Sequence, residues 1–160
     1  MLLPNRNNNE HMTKTKHYKQ PISVLVIIYN DQQQILLLER ADKPGFWQSV
    51  TGSLEAGESL LQTAQREVAE ETGICVTTDA IQDWQQTNEY EIYAYWRHRY
   101  APGVTHNTEH VFSVCVRSDC NIELSTQEHL QYGWYTREEA IEMVFSPSNQ
   151  QALIQLPNHW

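Results

Sequence analysis

No run of apolar residues in this 160-residue chain approaches the roughly 20 positions needed to span a bilayer. The first residues, Met1–Asn9, are rich in Asn and lack the apolar segment of a secretory signal, which implies a cytoplasmic address and no membrane partner. Cysteine is scarce as well. Cys75, Cys115 and Cys120 are odd in number and form no CxxC pair, which argues against a zinc site and for reduced thiols. Positive charge is also short: 11 Lys and Arg stand against 20 Asp and Glu, a formal net charge of −9. Stable binding to nucleic acid, whose phosphates must be neutralised by basic side chains, does not fit that balance. A small anionic substrate does fit, because bound cations and a few placed basic groups reverse the potential locally. No internal repeat is present.

What the chain does have is the composition of one globular domain, with 40% hydrophobic and 19% charged residues. Residues 1–18 are polar and without periodicity, so a flexible tail is expected there, ahead of a domain at 19–160. Met12 offers an alternative start. The apolar run Ile22–Tyr29 predicts a buried strand, Asn30-Asp31 a turn, and Ile35–Arg40 the hairpin partner. A short strand is expected at Phe46–Thr51, a Gly-bearing loop at Gly52–Glu58 and a helix at about Ser59–Thr72. Further strands are expected at Ile81–Thr87, Tyr90–Arg99, His110–Arg117 and Leu130–Tyr135, with Ala101–Asn107 as a loop. Thr136-x-x-Glu139 is a capping box for a helix to about Val144, and Pro147 opens a last helix to about Gln155. Strands flanked by helices predict an α/β sandwich around a mixed sheet.

The segment Gly52–Ile74 carries the chemistry. Ser59 and Gln62 form a capping box, and Gly73 supplies the helix stop. Leu60, Leu61, Ala64 and Val68 recur at helical spacing and face inward. Glu67, Glu70 and Glu71 sit at i, i+3 and i+4, so three like charges project from one face. A solvated acidic face is the plain reading of such a helix. A divalent cation would turn that repulsion into attraction, and hard oxygen ligands suit Mg2+ shared with substrate phosphates. Arg66 can pair with Glu70 four residues on, and Glu58 lies where the helix dipole favours an anion.

Gly52, Glu58, Arg66-Glu67, Val68, Glu70-Glu71, Gly73 and Ile74 fall at the spacings of the Nudix box, and the chain resembles the Nudix hydrolase family at every defined position. The resemblance implies an α/β/α sandwich with the box as loop–helix–loop, and Mg2+-dependent hydrolysis of an organic pyrophosphate, Mn2+ being a possible substitute. It implies Glu67, Glu70 and Glu71 as metal ligands, Arg66 as their orienting partner and Gly52 as a tight turn. The chemistry expected is attack by metal-activated water, with Glu70 or Glu71 as the base candidate inside the box. Glu128 is a candidate outside it. Taken alone Glu128 is an ordinary carboxylate in a polar loop, and His129 beside it reads equally well as a structural residue.

Beyond the box, Tyr18–Pro21, Phe46–Gly52, Arg97–Thr105, Asn107–Glu109, Glu128–Leu130 and Ser148-Asn149 are similar to the dihydroneopterin triphosphate pyrophosphatase branch of the family. That implies a small organic triphosphate as partner, pyrophosphate and the monophosphate as products, a place in folate biosynthesis, and Glu128 in the metal site. The residues themselves agree. Lys19 and Arg40 lie where they can meet phosphates, and Thr51 ends the strand leading into the box. Tyr90, Glu91, Ile92 and Tyr93 offer aromatic faces and backbone groups to a flat ring, although a strand tyrosine more often packs on its sheet. Ser146 is a weaker polar candidate, its plain reading being an N-cap. Arg97-His98-Arg99 reads as a strand with both arginines on one face, available to phosphate, loop or interface. Trp47 and Trp134 read as core. Two other functions stay open: hydrolysis of nucleoside triphosphates or dinucleoside polyphosphates, and a non-catalytic ligand-binding module, monomeric or homodimeric.

Overall fold

A computed structural model describes residues 17–160. Most of the expected tail therefore lies outside the described residues. The elements are β1 (Ile22–Asn30), β2 (Ile35–Arg40), β3 (Trp47–Gln48), β4 (Val50–Ser53), α1 (Leu60–Thr72), β5 (Gln82–Glu91), β6 (His106–Val116), β7 (His129–Tyr135), α2 (Arg137–Met143) and α3 (Pro147–Gln155).

They form one mixed sheet in the order β3-β2-β1-β6-β5, with β4 added to β1 and β7 added to β2. Among the strands of the described residues, β1 and β6 run parallel and the other neighbouring pairs run antiparallel. β1 and β2 meet at their turn, where Tyr29 faces Ile35, and then diverge. Beyond the turn, β1 pairs with β4 and β2 with β7, so two sheet edges face each other across the gap. The site described below is built at this divergence.

Strand alternation divides the core between two faces. Val24, Val26 and Ile28 of β1 join Leu36, Leu38, Val50, Phe112 and Val114 under Ala64 and Val68 of α1. Leu25 and Ile27 join Ile35, Leu37 and Val111 on the opposite face, under Ala140, Val144, Ala152 and Leu153. Because helices cover both faces, β1 is apolar along its middle instead of alternating. Each fully buried aliphatic side chain there contributes about 1.5–3 kcal/mol. The fold is thus the expected α/β sandwich.

Two stretches differ from the sequence reading. The break expected near Asn88 is absent: β5 pairs in unbroken register from Thr87 to Glu91, and its irregularity lies earlier, a bulge between Asp83 and Thr87 with Gln85 at φ 53°. The strand expected at Tyr90–Arg99 ends at Glu91, opposite His106. Past that pair β6 has no residue left to bond, so the chain closes its own hydrogen bonds as a 3-10 helix over Ala94–Arg99. Arg97, His98 and Arg99 therefore do not alternate across a sheet. β6 correspondingly begins four residues earlier than the expected His110.

Candidate active site

α1 starts and stops where its sequence directs. Gln62 N–H donates to Ser59 Oγ at 3.1 Å and Ser59 N–H to Gln62 Oε1 at 2.8 Å, while Gly73 ends the helix at φ 75°. Its inward stripe sets the rotation of the helix and so decides which glutamates meet the sheet. Glu71 is 3% exposed, Glu67 is partly buried, and Glu70 lies at the surface. The three carboxylates of one helix face therefore sit in three environments.

Arg66 holds the loop to the helix. Its guanidinium donates to both oxygens of Glu58 (2.7 and 2.9 Å), to Glu67 (2.8 Å), to Glu70 (3.2 Å) and to the Ser53 carbonyl (3.0 Å). The fork on Glu58 is the strongest part, a bidentate, charge-assisted pair. It holds the Glu58 carboxyl down at about 2. Glu58 is thus the main partner of Arg66, a role beyond the helix-dipole position read from the sequence, and Glu70 is a lesser one.

Gly52 also has a different reason from the one expected. It lies within β4 and its φ is not positive, so no tight turn requires it. A Cβ here would collide with the Cγ, Cδ and Oε1 atoms of Glu67, well inside 3.0 Å. Glycine is needed for close approach, leaving room for a carboxylate against the strand.

Outside the box, β7 brings Glu128 and His129 to α1. His129 pairs with Arg40 in the β2–β7 ladder, and the Ala41 N–H donates to the Glu128 carbonyl at 2.9 Å. One ligand atom each from Glu71, Glu128 and His129 all lie within 4.8 Å of one another. His129 Nε2 stands 3.5 Å from Glu71 Oε1. Burial pushes the His129 imidazole down to about 4, so it is neutral near pH 7 and able to act as a ligand. Burial, with the charges of Glu67 and Glu128, pushes Glu71 well above the usual carboxylate range. Glu67 rises to about 7, burial outweighing the pull of Arg66. Glu71 Oε2 is buried without a hydrogen-bond partner. Buried carboxylates that repel each other and leave an oxygen unpaired fit a hard divalent cation.

These features belong together in a known family. NUDIX domain sequences match residues 19–155. The chain is a Nudix protein. It is 47% identical over 145 residues to the dihydroneopterin triphosphate diphosphatase of Escherichia coli K12, covering 89% of this chain and 95% of that one. The Haemophilus influenzae protein of the same name is 40% identical over 139 residues, 85% and 87% of the two chains. A solved structure of the E. coli dihydroneopterin triphosphate pyrophosphohydrolase superposes with a TM-score of 0.83 at 45% identity, covering 91% of this chain and all of that one. An Ap4A hydrolase from C. elegans, at 22% identity and TM-score 0.68, shares the fold.

The remaining sequence candidates of this Nudix chain divide into two groups. Arg40 reaches the acidic cluster, since its charge acts on both Glu71 and His129. Lys19 is exposed by area, yet its ammonium is crowded by protein atoms and feels Arg99, Glu67, Arg40 and Glu128; crowding and Arg99 hold its pKa below the usual lysine value. Thr51 accepts from Gln48 Nε2 at 3.3 Å and bonds Glu71 through its backbone. The other group is committed elsewhere. Tyr90 accepts from Asn107 Nδ2 at 3.1 Å, and Glu91 is ion-paired with Arg97. Ile92 is buried, its N–H donating to the Thr105 carbonyl and its own carbonyl accepting from Arg97. Ser146 is the N-cap of α3, accepting from Asn149 N–H. Tyr93 stays exposed and stacks on Tyr95 with ring centroids 5.4 Å apart.

Sequence reasoning missed the group around Asp42, which gathers Arg40, Trp96 and Arg99. No spacing signal marks it, because Asp42 and Arg99 are 57 residues apart. Trp47 and Trp134 pack partly buried against the two core clusters, as expected.

Proposed function

We propose that this Nudix hydrolase cleaves 7,8-dihydroneopterin triphosphate to the monophosphate and pyrophosphate, using Mg2+, with Mn2+ able to replace it. The observation that carries the reading is an adjacency. A cluster of Glu71, Glu128 and His129, with the charge of Glu67 acting on Glu71, borders a basic group of Lys19 and Arg40, and Arg40 lies 4.3 Å from the Trp96 ring beside the exposed Tyr93 and Tyr95. Acidic groups, basic groups and a flat apolar surface are what a metal-bound triphosphate on an aromatic ring requires.

Glu67, Glu71, Glu128 and His129 would hold the cation, which supplies charge neutralisation and a more acidic bound water. Arg66 keeps the Glu67 carboxylate against Gly52 and thereby sets the ligand geometry. Glu71, buried among the residues that would hold the cation, is better placed than the exposed Glu70 to accept a proton from the attacking water. Lys19 and Arg40 would neutralise the departing phosphate.

The test is product analysis on a panel of dihydroneopterin triphosphate, GTP and dATP with Mg2+. Pyrophosphate and the pterin monophosphate are expected, with a strong preference for the pterin. Equal turnover of the nucleotides would defeat the substrate assignment while leaving the hydrolase in place.

A further inference from the structure

Among the described residues, Asp42, in the turn after β2, is the most heavily used carboxylate beyond the box. It accepts from Arg40 Nε at 2.7 Å and Nη2 at 2.9 Å, from Arg99 Nη2 at 3.0 Å and from Trp96 Nε1 at 3.2 Å. Arg40 is further fixed by Gln48 Oε1 at 3.0 Å and lies over the Trp96 ring. Two guanidiniums thus share one carboxylate, and the Lys19 backbone N–H donates to the Arg99 carbonyl at 2.9 Å, so the Lys19 segment runs beside this group. Two guanidiniums on one carboxylate leave one positive charge in excess, in a protein whose formal net charge is −9.

An isolated surface ion pair would be balanced, and would contribute little. This group is not balanced. Arg40 is largely enclosed, with 16% side-chain exposure, and Arg99 is two-thirds enclosed at 33%. Among the described residues the Arg99 guanidinium donates one hydrogen bond, to Asp42, so most of the N–H donors of its fork remain for another acceptor. The group adjoins the acidic cluster, because Ala41, between Arg40 and Asp42, is bonded to the Glu128 carbonyl.

We propose that Arg99 is a ligand for the polyphosphate of the substrate, and that Asp42 is the residue that positions it beside Arg40 as a two-arginine clamp. Asp42 does not touch phosphate. It holds two flexible guanidiniums in one orientation, so that less rotamer entropy is lost when they bind. The inference rests on the polyphosphate reading of the neighbouring carboxylates and is independent of the organic group.

The experiment measures binding of inorganic triphosphate, in the presence of Mg2+, by calorimetry to the full chain and to Arg99→Ala, Asp42→Asn and the double variant. Each single change is expected to raise Kd about tenfold, the loss of one charge-assisted contact. The double variant should bind about as poorly as either single one, because both changes remove the same contact. Arg99→Lys should recover part of the loss, lacking the fork. Charge alone gives the opposite sign at Asp42, since removing a carboxylate would tighten the binding of an anion. Tighter binding by Asp42→Asn, unchanged Kd in Arg99→Ala, or additive losses in the double variant would each overturn the clamp. A purely structural role would lower the melting temperature and leave Kd of the folded protein unchanged, which also overturns it. Failure of the unaltered protein to bind triphosphate would sink the polyphosphate reading itself. Failure of pterin preference would appear only in the substrate panel.

Discussion

Gly52→Ala is the sharpest probe of how the Nudix box works here. The backbone at this position suits any residue, so in an ordinary strand the change would stabilise the protein by about 0.4–1 kcal/mol through the unfolded state. The added methyl, however, would occupy the space of the Glu67 carboxylate. The colliding atoms are the end of a side chain, so the protein can fold by swinging Glu67 away. Doing so breaks the 2.8 Å bond to Arg66 and moves a proposed metal ligand by about 1 Å or more. Misplacement on that scale costs about 10²-fold in rate. The expected outcome is a fall of that size in kcat/KM for pyrophosphate release, a higher Mg2+ concentration for half-maximal rate, and a urea unfolding free energy within about 1 kcal/mol of the parent. A variant retaining a rate within about threefold, with unchanged Mg2+ dependence, would refute the close-approach argument. So would loss of cooperative unfolding, which would show that Gly52 serves the strand instead.

Glu71→Gln should abolish most turnover, about 10²-fold or more, while raising the stability of metal-free protein, because a neutral amide is buried without the cost of taking up a proton or burying a charge with an unpaired oxygen; equal melting temperatures with full activity would contradict both parts. Metal-free protein should lose stability as pH rises from about 5 to about 7. Glu67, near 7, and Glu71, pushed by burial well above the usual carboxylate range, hold protons in the folded state that the unfolded chain has released, so unfolding gives up protons and its free energy falls with pH. The slope is at most about 1.4 kcal/mol per pH unit per group. His129 acts oppositely between about 4 and the ordinary histidine value, one group against two. Urea unfolding in chelator tests this; stability that rises across the window would be fatal, and Mg2+ should remove the fall. Asn149→Ala should cost about 2–3 kcal/mol in urea unfolding, since Asn149 accepts from Ser49 N–H at 2.9 Å and donates to Ser49 Oγ at 3.0 Å, tying α3 to the strand before the box. A loss below about 0.5 kcal/mol would show that water replaces the latch.

Local covalent spacing determined the parts of this protein that can be read from its sequence. Glu67, Glu70 and Glu71 share a helix face because helical geometry places i, i+3 and i+4 together, and the Ser59 and Gly73 signals bound that helix before any packing is known. The family, the sandwich and the box followed from such short-range rules. Contacts between distant segments depend on register, and only the tertiary structure decided those. The β2–β7 pairing of Arg40 with His129 brings Glu128 and His129 to Glu71, and a slip of one residue would turn these side chains to the other face. The chain past Glu91 turned helical because β6 offered it no further partner, and that turn carries Trp96 and Arg99 to Asp42. Gly52 shows both levels in one residue. Its place in the motif was legible, but its reason, the carboxylate occupying the space of a side chain, exists only once α1 packs on β4.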